Sequence, residues 1–223
     1  MLMKNLMYLG IFLLVMLLNA CGQPSQAPCS GQNNKCSNVT GSISTQPNDV
    51  IQAIMNRRSI RKYRPLAIEK EKLEKVLECG INAPNGMYKQ SWEIRVVNTP
   101  EIMSEIEKGY TTFQKNNGKK RITHPSFGAP CLIFIAHDTK YDLSQVDCGL
   151  LGGNMILAAQ SMNLGTCCLG GLVRYMNSKD ASAIYNRLEI PESYKLLYAI
   201  AMGYPDETPA AKPRDKNKIK FIH

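Results

Sequence analysis

A dense run of basic and hydroxyl side chains reads Arg57-Arg58-Ser59-Ile60-Arg61. A guanidinium group donates paired hydrogen bonds from a planar fork, and this geometry matches the oxygens of a phosphate. The serine hydroxyl adds another donor within the same turn. The run therefore predicts a cradle for a phosphate-bearing small molecule.

Other kinds of chemistry find little support in the sequence. No glycine-rich nucleotide fingerprint follows a predicted strand, and neither a P-loop nor a nucleophile elbow is present. His124, His137 and His223 are scattered, without cysteines or carboxylates at metal-ligand spacing. We interpret them as surface or structural histidines and predict no metal site.

The formal net charge of +9 is concentrated in two places. One is the run at 57–61 with its neighbours, and the other is the tail that contains Lys212 and Arg214. No aromatic residue lies within the run at 57–61, so binding of a nucleic acid is disfavoured. A phosphate-bearing small molecule fits the first cluster better, and a solvated basic surface explains the tail beyond Arg214.

Hydrophobic periodicity predicts the elements that must position this run. Helices are expected from Asp49 into the arginines, at 69–81, from Pro100, at 143–164 with Gly165 ending the helix, and at 181–188. Strands are expected at 92–97, 131–136 and 194–202. Helices and strands mix without strict alternation, which indicates an α+β fold in one domain, 49–223.

Two segments carry more specific expectations. Residues 110–128 are polar and basic without dependable periodicity, and we expect a surface excursion that could act as a lid. The helix at 143–164 is rich in small residues, which permits either close core packing or a subunit interface. We favour the interface. The small residues are Gly149, Gly152, Gly153, Ala158, Ala159 and Ser161.

The first 48 residues differ from the rest. Residues 1–20 have a charged start, an apolar middle and a small final residue, as in a secretory signal, and Cys21 follows as in a bacterial lipobox. A buried first helix and cleavage near Cys21 are the alternatives. Residues 21–48 read as a flexible tether, in which Cys29 and Cys36 either form a disulfide or remain spare thiols.

Several separated motifs, taken together, resemble the nitroreductase family, whose enzymes carry FMN. The run at 57–61 resembles its opening motif, which brings basic and serine side chains to the flavin. Further similarities follow in the family's order at residues 83–92, 154–159, 164–171, 203–205 and 212–214. The resemblance implies a three-layer sandwich with a central, mostly antiparallel sheet flanked by helices. It also implies an intertwined homodimer with FMN at the seam.

The resemblance implies that two sets of side chains hold the phosphate and ribityl chain of FMN. They are Arg57, Arg58, Ser59 and Arg61 of the opening motif, with Lys212 and Arg214 of the closing segment. Arg61 is also implied to stabilise the reduced ring at its N1 edge.

The flavin ring is implied to lie between a turn of one subunit and a loop of the other. The turn comprises Cys168, Leu169, Gly170 and Gly171, and the loop comprises Pro84, Asn85, Gly86 and Gln90. The amide of Gly170 is the implied donor to N5, and so the one catalytic group. Cys167 and Cys168 are expected to be small buried thiols rather than a strained disulfide.

Three positions depart from the family pattern. Tyr88 stands where the family often has Asn, Ser91 where it often has Pro, and Gly170 where some members have an acidic residue. The first two could alter a ring contact or the shape of the pocket.

The implied activity is hydride transfer from NAD(P)H through flavin N5 to nitroaromatic, quinone or related acceptors. The usual donor is cytosolic, whereas Cys21 indicates an exported, lipid-anchored protein of the cell envelope. A membrane quinol or another secreted flavoprotein is therefore an alternative donor. A non-catalytic flavin-binding surface lipoprotein and a dehalogenase-like relative are the alternative functions.

Overall fold

The computed structural model describes residues 49–119 and 124–223. The predicted signal segment, Cys21 and the tether lie outside the described residues, as do residues 120–123 of the expected excursion. The predictions for these segments therefore stay predictions.

The described part of the chain contains α-helices on both sides of one sheet. The helices are α1 (Asp49–Asn56), α2 (Lys70–Ile81), α3 (Pro100–Asn116), α4 (Ser144–Ser161), α5 (Gly170–Met176) and α6 (Ser182–Asn186). The strands are β1 (Trp92–Val97), β2 (Cys131–Asp138), β3 (Gly165–Leu169) and β4 (Tyr194–Gly203). Short 3-10 turns occupy Gly86–Tyr88, Lys179–Ala181 and Lys216–Lys218.

The sheet has the order β1-β2-β4-β3, and each neighbouring pair is antiparallel. The apolar runs that predicted buried strands form its two central strands, β2 and β4. β1 and β3 are the two edges. The prediction of an α+β fold with an antiparallel sheet is confirmed.

Both faces of the sheet are covered by helices, because consecutive residues of a strand point to opposite faces. On one face, Leu132 and Phe134 of β2 pack in a core with Ile106 of α3 and with α5. On the other face, Ile133 and Ile135 pack in a second core with α2 and α4. These layers confirm the predicted three-layer sandwich.

Helix α3 is longer than the sequence suggested, so the expected irregular excursion is wrong for residues 110–116. The rings of Tyr110 and Phe113 lie 5.9 and 5.5 Å from that of Tyr175, measured between centroids. They continue the buried stripe of Met103 and Ile106 by one more turn. Packing against α5 thus stabilises a helical end whose other residues are polar.

The end of the long helix also differs from the prediction. Helix α4 stops at Ser161, and Asn163 makes the turn with a positive φ of 60°. Asn tolerates this left-handed conformation better than most residues do. Gly165 does not end the helix, because it begins strand β3.

None of the described helices combines enough length with enough apolar character to cross a membrane.

Thiol labelling tests where the cores lie. Burial raises the pKa of both Cys131 and Cys148 to about 12, so few thiolates form there at about pH 8. We expect an alkylating reagent to modify the half-buried Cys79 and the exposed Cys168 in the folded protein. Cys131, Cys148 and Cys167 should react only after unfolding. Peptide mass spectrometry before and after denaturation would measure this, and early labelling of Cys131 would contradict the packing.

Candidate functional site

The basic run lies beside strand β3, at one edge of the sheet. Helix α1 ends at Asn56. The chain then runs parallel to strand β3, and Ser59 forms an isolated β-bridge with Thr166. The amide of Ile60 donates a hydrogen bond to the Thr166 carbonyl at 2.9 Å. The predicted phosphate cradle is thereby fastened next to residues 165–169.

The side chain of Ile60 anchors this run in the interior. It is buried, and a Cβ added to Gly165 would lie 2.7 Å from Ile60 Cγ1. Glycine at 165 therefore allows the two segments to approach. Because Ile60 points inward, the polar residues on either side of it remain near the surface.

Two guanidinium groups act on the thiols of β3. Burial raises the pKa of Cys167, while the positive charges of Arg61 and Arg57 oppose that effect. Partial desolvation of its thiol likewise raises the pKa of Cys168, although the residue as a whole is exposed, and Arg57 again opposes that effect. Arg57 and Arg61 therefore lie close enough to β3 to act electrostatically on its end. Arg61 also sits over the ring of Phe127, at 5.8 Å from its centroid.

Arg58 points elsewhere. Its Nη1 donates to the carbonyls of Met55 and Arg57, at 2.7 and 2.9 Å, and so satisfies carbonyls at the C-terminal end of α1. It also lines a separate cavity of about 190 Å³, together with Asn163 and Glu207. The structure thus gives Arg58 a capping role, and its predicted contact with the cofactor stays a prediction.

The predicted turn at 168–171 is the end of β3 followed by the first residues of α5. Leu169 is buried, whereas Cys168, Gly170 and Gly171 are exposed. The expectation of a buried thiol is correct for Cys167 and wrong for Cys168. Pairing of β3 with β4 fixes the strand and leaves one side of its end open.

Within the described part of the chain, packing gives no reason for a glycine at position 170. A Cβ added there would meet no atom within 4 Å, apart from its chain neighbours and its own helix. The backbone at this point therefore has room for a flat group, such as the ring of a bound molecule, to lie against it. We call the exposed backbone at residues 168–171 the bare glycine segment. The hydrogen bond from Ile60 to Thr166 places the basic run next to it. This arrangement fits a ligand that has both a flat ring and a phosphate.

The tail does not close this site within one chain. Lys212 and Arg214 are exposed, and Arg214 Nη1 donates to the carbonyls of Lys212 and Pro213, at 3.2 and 3.4 Å. Among the described residues, neither side chain forms a hydrogen bond or an ion pair with the basic run. The base of the tail is attached to the segment after the run, because the Glu207 carboxylate accepts from the Arg61 amide and the Asp206 amide donates to the Lys62 carbonyl at 2.9 Å.

The loop with Pro84, Asn85, Gly86 and Gln90 lies at the opposite edge of the sheet. It leads into β1, and two strands separate β1 from β3. At the usual strand spacing, this is a separation of roughly 14 Å between the edge strands. One chain therefore does not bring this loop to the basic run, which agrees with its implied contact across a subunit boundary.

Two acidic residues that the sequence reading missed shape these segments. Asp147 of α4 accepts hydrogen bonds from the Gly86 amide at 2.9 Å and from Ser91 Oγ at 2.6 Å. Glu207 holds the Arg61 amide. An acidic residue in the first turn of an otherwise apolar helix was the available signal for Asp147. Nothing comparable distinguished Glu207.

The family model described as "Nitroreductase family" matches residues 54–204. This chain belongs to the nitroreductase family. The match begins in α1 and ends just after β4, so it includes the basic run, the bare glycine segment and both sheet edges.

Curated nitroreductase relatives include enzymes named for flavin chemistry. The chain is 28% identical over 178 residues to the NADPH-flavin oxidoreductase of Vibrio harveyi, covering 75% of this chain and 70% of that protein. It is 25% identical over 179 residues to the FMN reductase (NADPH) of Bacillus subtilis, again covering 75% and 70%.

Solved nitroreductase structures are similar over most of the chain. A nitroreductase with bound FMN from Bacteroides fragilis has a TM-score of 0.72 and 25% identity, covering 79% of this chain and 100% of that one. A nitroreductase with bound FMN from Desulfitobacterium hafniense has a TM-score of 0.70 and 29% identity, covering 80% and 100%.

The contact between Ile60 and Gly165 can be tested by substitution. In Gly165→Ala, the new Cβ would overlap Ile60, which is β-branched and stiff. We expect a loss of about 1–3 kcal/mol in the free energy of unfolding. Gly170→Ala is the matched control, because the space there is open. Chemical denaturation would measure both, and equal stability of the two variants would contradict the proposed packing.

Proposed function

We propose that this chain is an FMN-dependent oxidoreductase that takes electrons from NAD(P)H and passes them to nitroaromatic, quinone or related acceptors. The observation that carries the proposal is the hydrogen bond from Ile60 to Thr166, which fastens the basic run to the bare glycine segment. The names of the relatives support the choice of flavin and donor.

The residues present fit FMN. Arg57, Ser59 and Arg61 supply the cations and the hydroxyl that a phosphate dianion and a ribityl chain need. The exposed backbone at Cys168 and Gly170 supplies a side-chain-poor surface for the ring. Bound there, FMN supplies hydride transfer, and the protein supplies binding, orientation and electrostatics.

The chain's own residues have limited tasks in this mechanism. Arg57 and Arg61 hold negative charge close to the end of β3. The Gly170 amide is a donor without a side chain in its way, and it would orient the ring of bound FMN. Lys212 and Arg214 would contribute to the phosphate clamp only after the tail moves, or from a second copy.

A second copy of the chain supplies the side of the flavin site that one chain leaves open, so the active form is a homodimer. Helix α1 has no buried residue and exposes an apolar stripe. Helix α4 exposes Val146 and Leu150 beside Gly149 and Gly153, where added Cβ atoms would find open space. Contiguous exposed apolar surface of this kind marks an interface. Sedimentation at twice the mass of one chain tests the dimer, and a stable monomer would contradict it.

The protein is also proposed to be exported and anchored through a lipid on Cys21, after removal of residues 1–20. The lipobox-like sequence and the polar segment 21–48 support this proposal. For an exported protein, a membrane quinol or a secreted flavoprotein is the alternative to NAD(P)H as the electron donor. Mass spectrometry of the N-terminal peptide from the native host tests this proposal. A protein that still begins at Met1 and carries no lipid would contradict it.

Titration with FMN tests the function directly. Replacing Arg57 with Ala removes a charge-assisted hydrogen bond to phosphate, so we expect FMN affinity to fall roughly tenfold to a hundredfold. Arg64→Ala is the matched control, since Arg64 is an exposed arginine close in sequence to the run at 57–61 but outside it. Fluorescence quenching of FMN on binding would measure both affinities. Equal losses in the two variants would indicate only a general charge effect.

The same titration has a second readout in a thiol. Saturating FMN should protect the exposed Cys168 from alkylation, because Cys168 lies in the segment proposed to carry the flavin ring. Undiminished labelling of Cys168 in the presence of bound FMN would place the flavin elsewhere.

A further inference from the structure

The end of the tail, beyond the residues assigned to the phosphate clamp, carries a surplus of positive charge. We call residues 215–223 the distal tail, and all of them are exposed. Its single acidic residue, Asp215, accepts a hydrogen bond from the Asn217 amide at 3.0 Å. Within the described part of the chain, no ion pair neutralises its three cations, Lys216, Lys218 and Lys220.

The distal tail also presents its large apolar side chains to solvent. Ile219 is 68% exposed, Phe221 is 81% exposed and Ile222 is 89% exposed. They are interleaved with lysines in the order Lys218-Ile219-Lys220-Phe221-Ile222. A solvated basic surface, which the sequence predicted here, accounts for the lysines. It does not account for exposed apolar side chains between them.

The domain surface at the base of the tail has the same character. The Asp206 amide donates to the Lys62 carbonyl, and the Arg64 amide donates to the Tyr204 carbonyl, each at 2.9 Å. Lys62 and Arg64 are exposed, and Leu66 shortly after them is 51% exposed. The tail therefore leaves the domain from a surface that also combines cations with an exposed apolar side chain.

We propose that the distal tail is a docking surface for a lipid bilayer that contains anionic phospholipids. This inference goes beyond the oxidoreductase activity, and it does not require a lipid on Cys21. Each lysine close to an anionic bilayer strengthens binding by roughly fivefold. Apolar side chains enter the boundary between headgroups and acyl chains. Lysine stems can follow them while the ammonium groups stay among the headgroups.

Two other occupants fit these side chains less well. The cores of protein interfaces are depleted in lysine. Packing Ile219 and Phe221 against a second copy would bring Lys220, which lies between them, into such a core. Single-stranded nucleic acids stack their bases on aromatic rings, whereas two of the three exposed apolar side chains are aliphatic. A bilayer surface uses both the aliphatic side chains and the lysines.

A fluorescent reporter on the distal tail tests the proposal in the full chain. Trp92 is the single tryptophan and is buried, so Phe221→Trp adds an indole that senses the distal tail. Cys21→Ser in every sample excludes a lipid at that position. Vesicles of phosphatidylglycerol and phosphatidylcholine in equal parts should shift the emission of this indole to the blue. Vesicles of phosphatidylcholine alone should shift it much less, and added salt should weaken the response because it screens the charges.

Substitution of the lysines tests the role of charge. In the reporter chain, replacing Lys216, Lys218 and Lys220 together with Gln should weaken binding to the anionic vesicles roughly a hundredfold. The matched control changes the net charge equally at three exposed lysines elsewhere, Lys115, Lys179 and Lys195. It should bind the vesicles nearly as well as the reporter chain. Equal losses in the two triple variants would overturn the role of the distal tail.

Other results would contradict the proposal in different ways. An indole at position 221 that is already shifted to the blue without vesicles, and does not respond to them, would place the distal tail against a second copy. A single-stranded oligonucleotide that shifts the emission as far as anionic vesicles do would assign the tail to nucleic acid. No response to either would leave a solvated segment. FMN affinity, measured in parallel, should be unchanged in both triple variants and reports separately on the proposed function.

Discussion

One backbone hydrogen bond, from the Ile60 amide to the Thr166 carbonyl, connects the two halves of the proposed site. It depends on Gly165, because any side chain there would collide with the buried Ile60. Through this contact the cations at the end of α1 reach the exposed end of β3. The remaining sheet and its two layers of helices serve to hold β3 and this run in register.

The sheet order imposes a second constraint. Because β1 and β3 are opposite edges, the loop at residues 84–90 and the basic run lie on opposite sides of the sheet within one chain. The apolar surfaces of α1 and α4 are also exposed, since no element of the described part of the chain covers them. A homodimer satisfies both conditions at once, which is why the proposed function and the proposed oligomeric state depend on each other.

Much of the fold could be predicted where the local sequence pattern determines the structure. The strand at 92–97 has the predicted limits, and the continuous apolar run from Cys131 forms a central strand. Prediction failed where distant contacts decide. Tyr175 extends α3 through residues that look irregular, and Asn163 takes the turn that was assigned to Gly165. The buried role of Asp147 was invisible because its partners lie in another segment. The assignments of Lys212 and Arg214 rest on resemblance alone.

The most direct test of the central claim is an absorbance spectrum of the purified protein, followed by anaerobic addition of NADH and then NADPH. The account predicts a flavin spectrum that bleaches when a nucleotide is added. A flavin spectrum that persists would keep the binding site and direct the search for a donor to quinols. Absence of a flavin spectrum, even after incubation with FMN, would contradict the account.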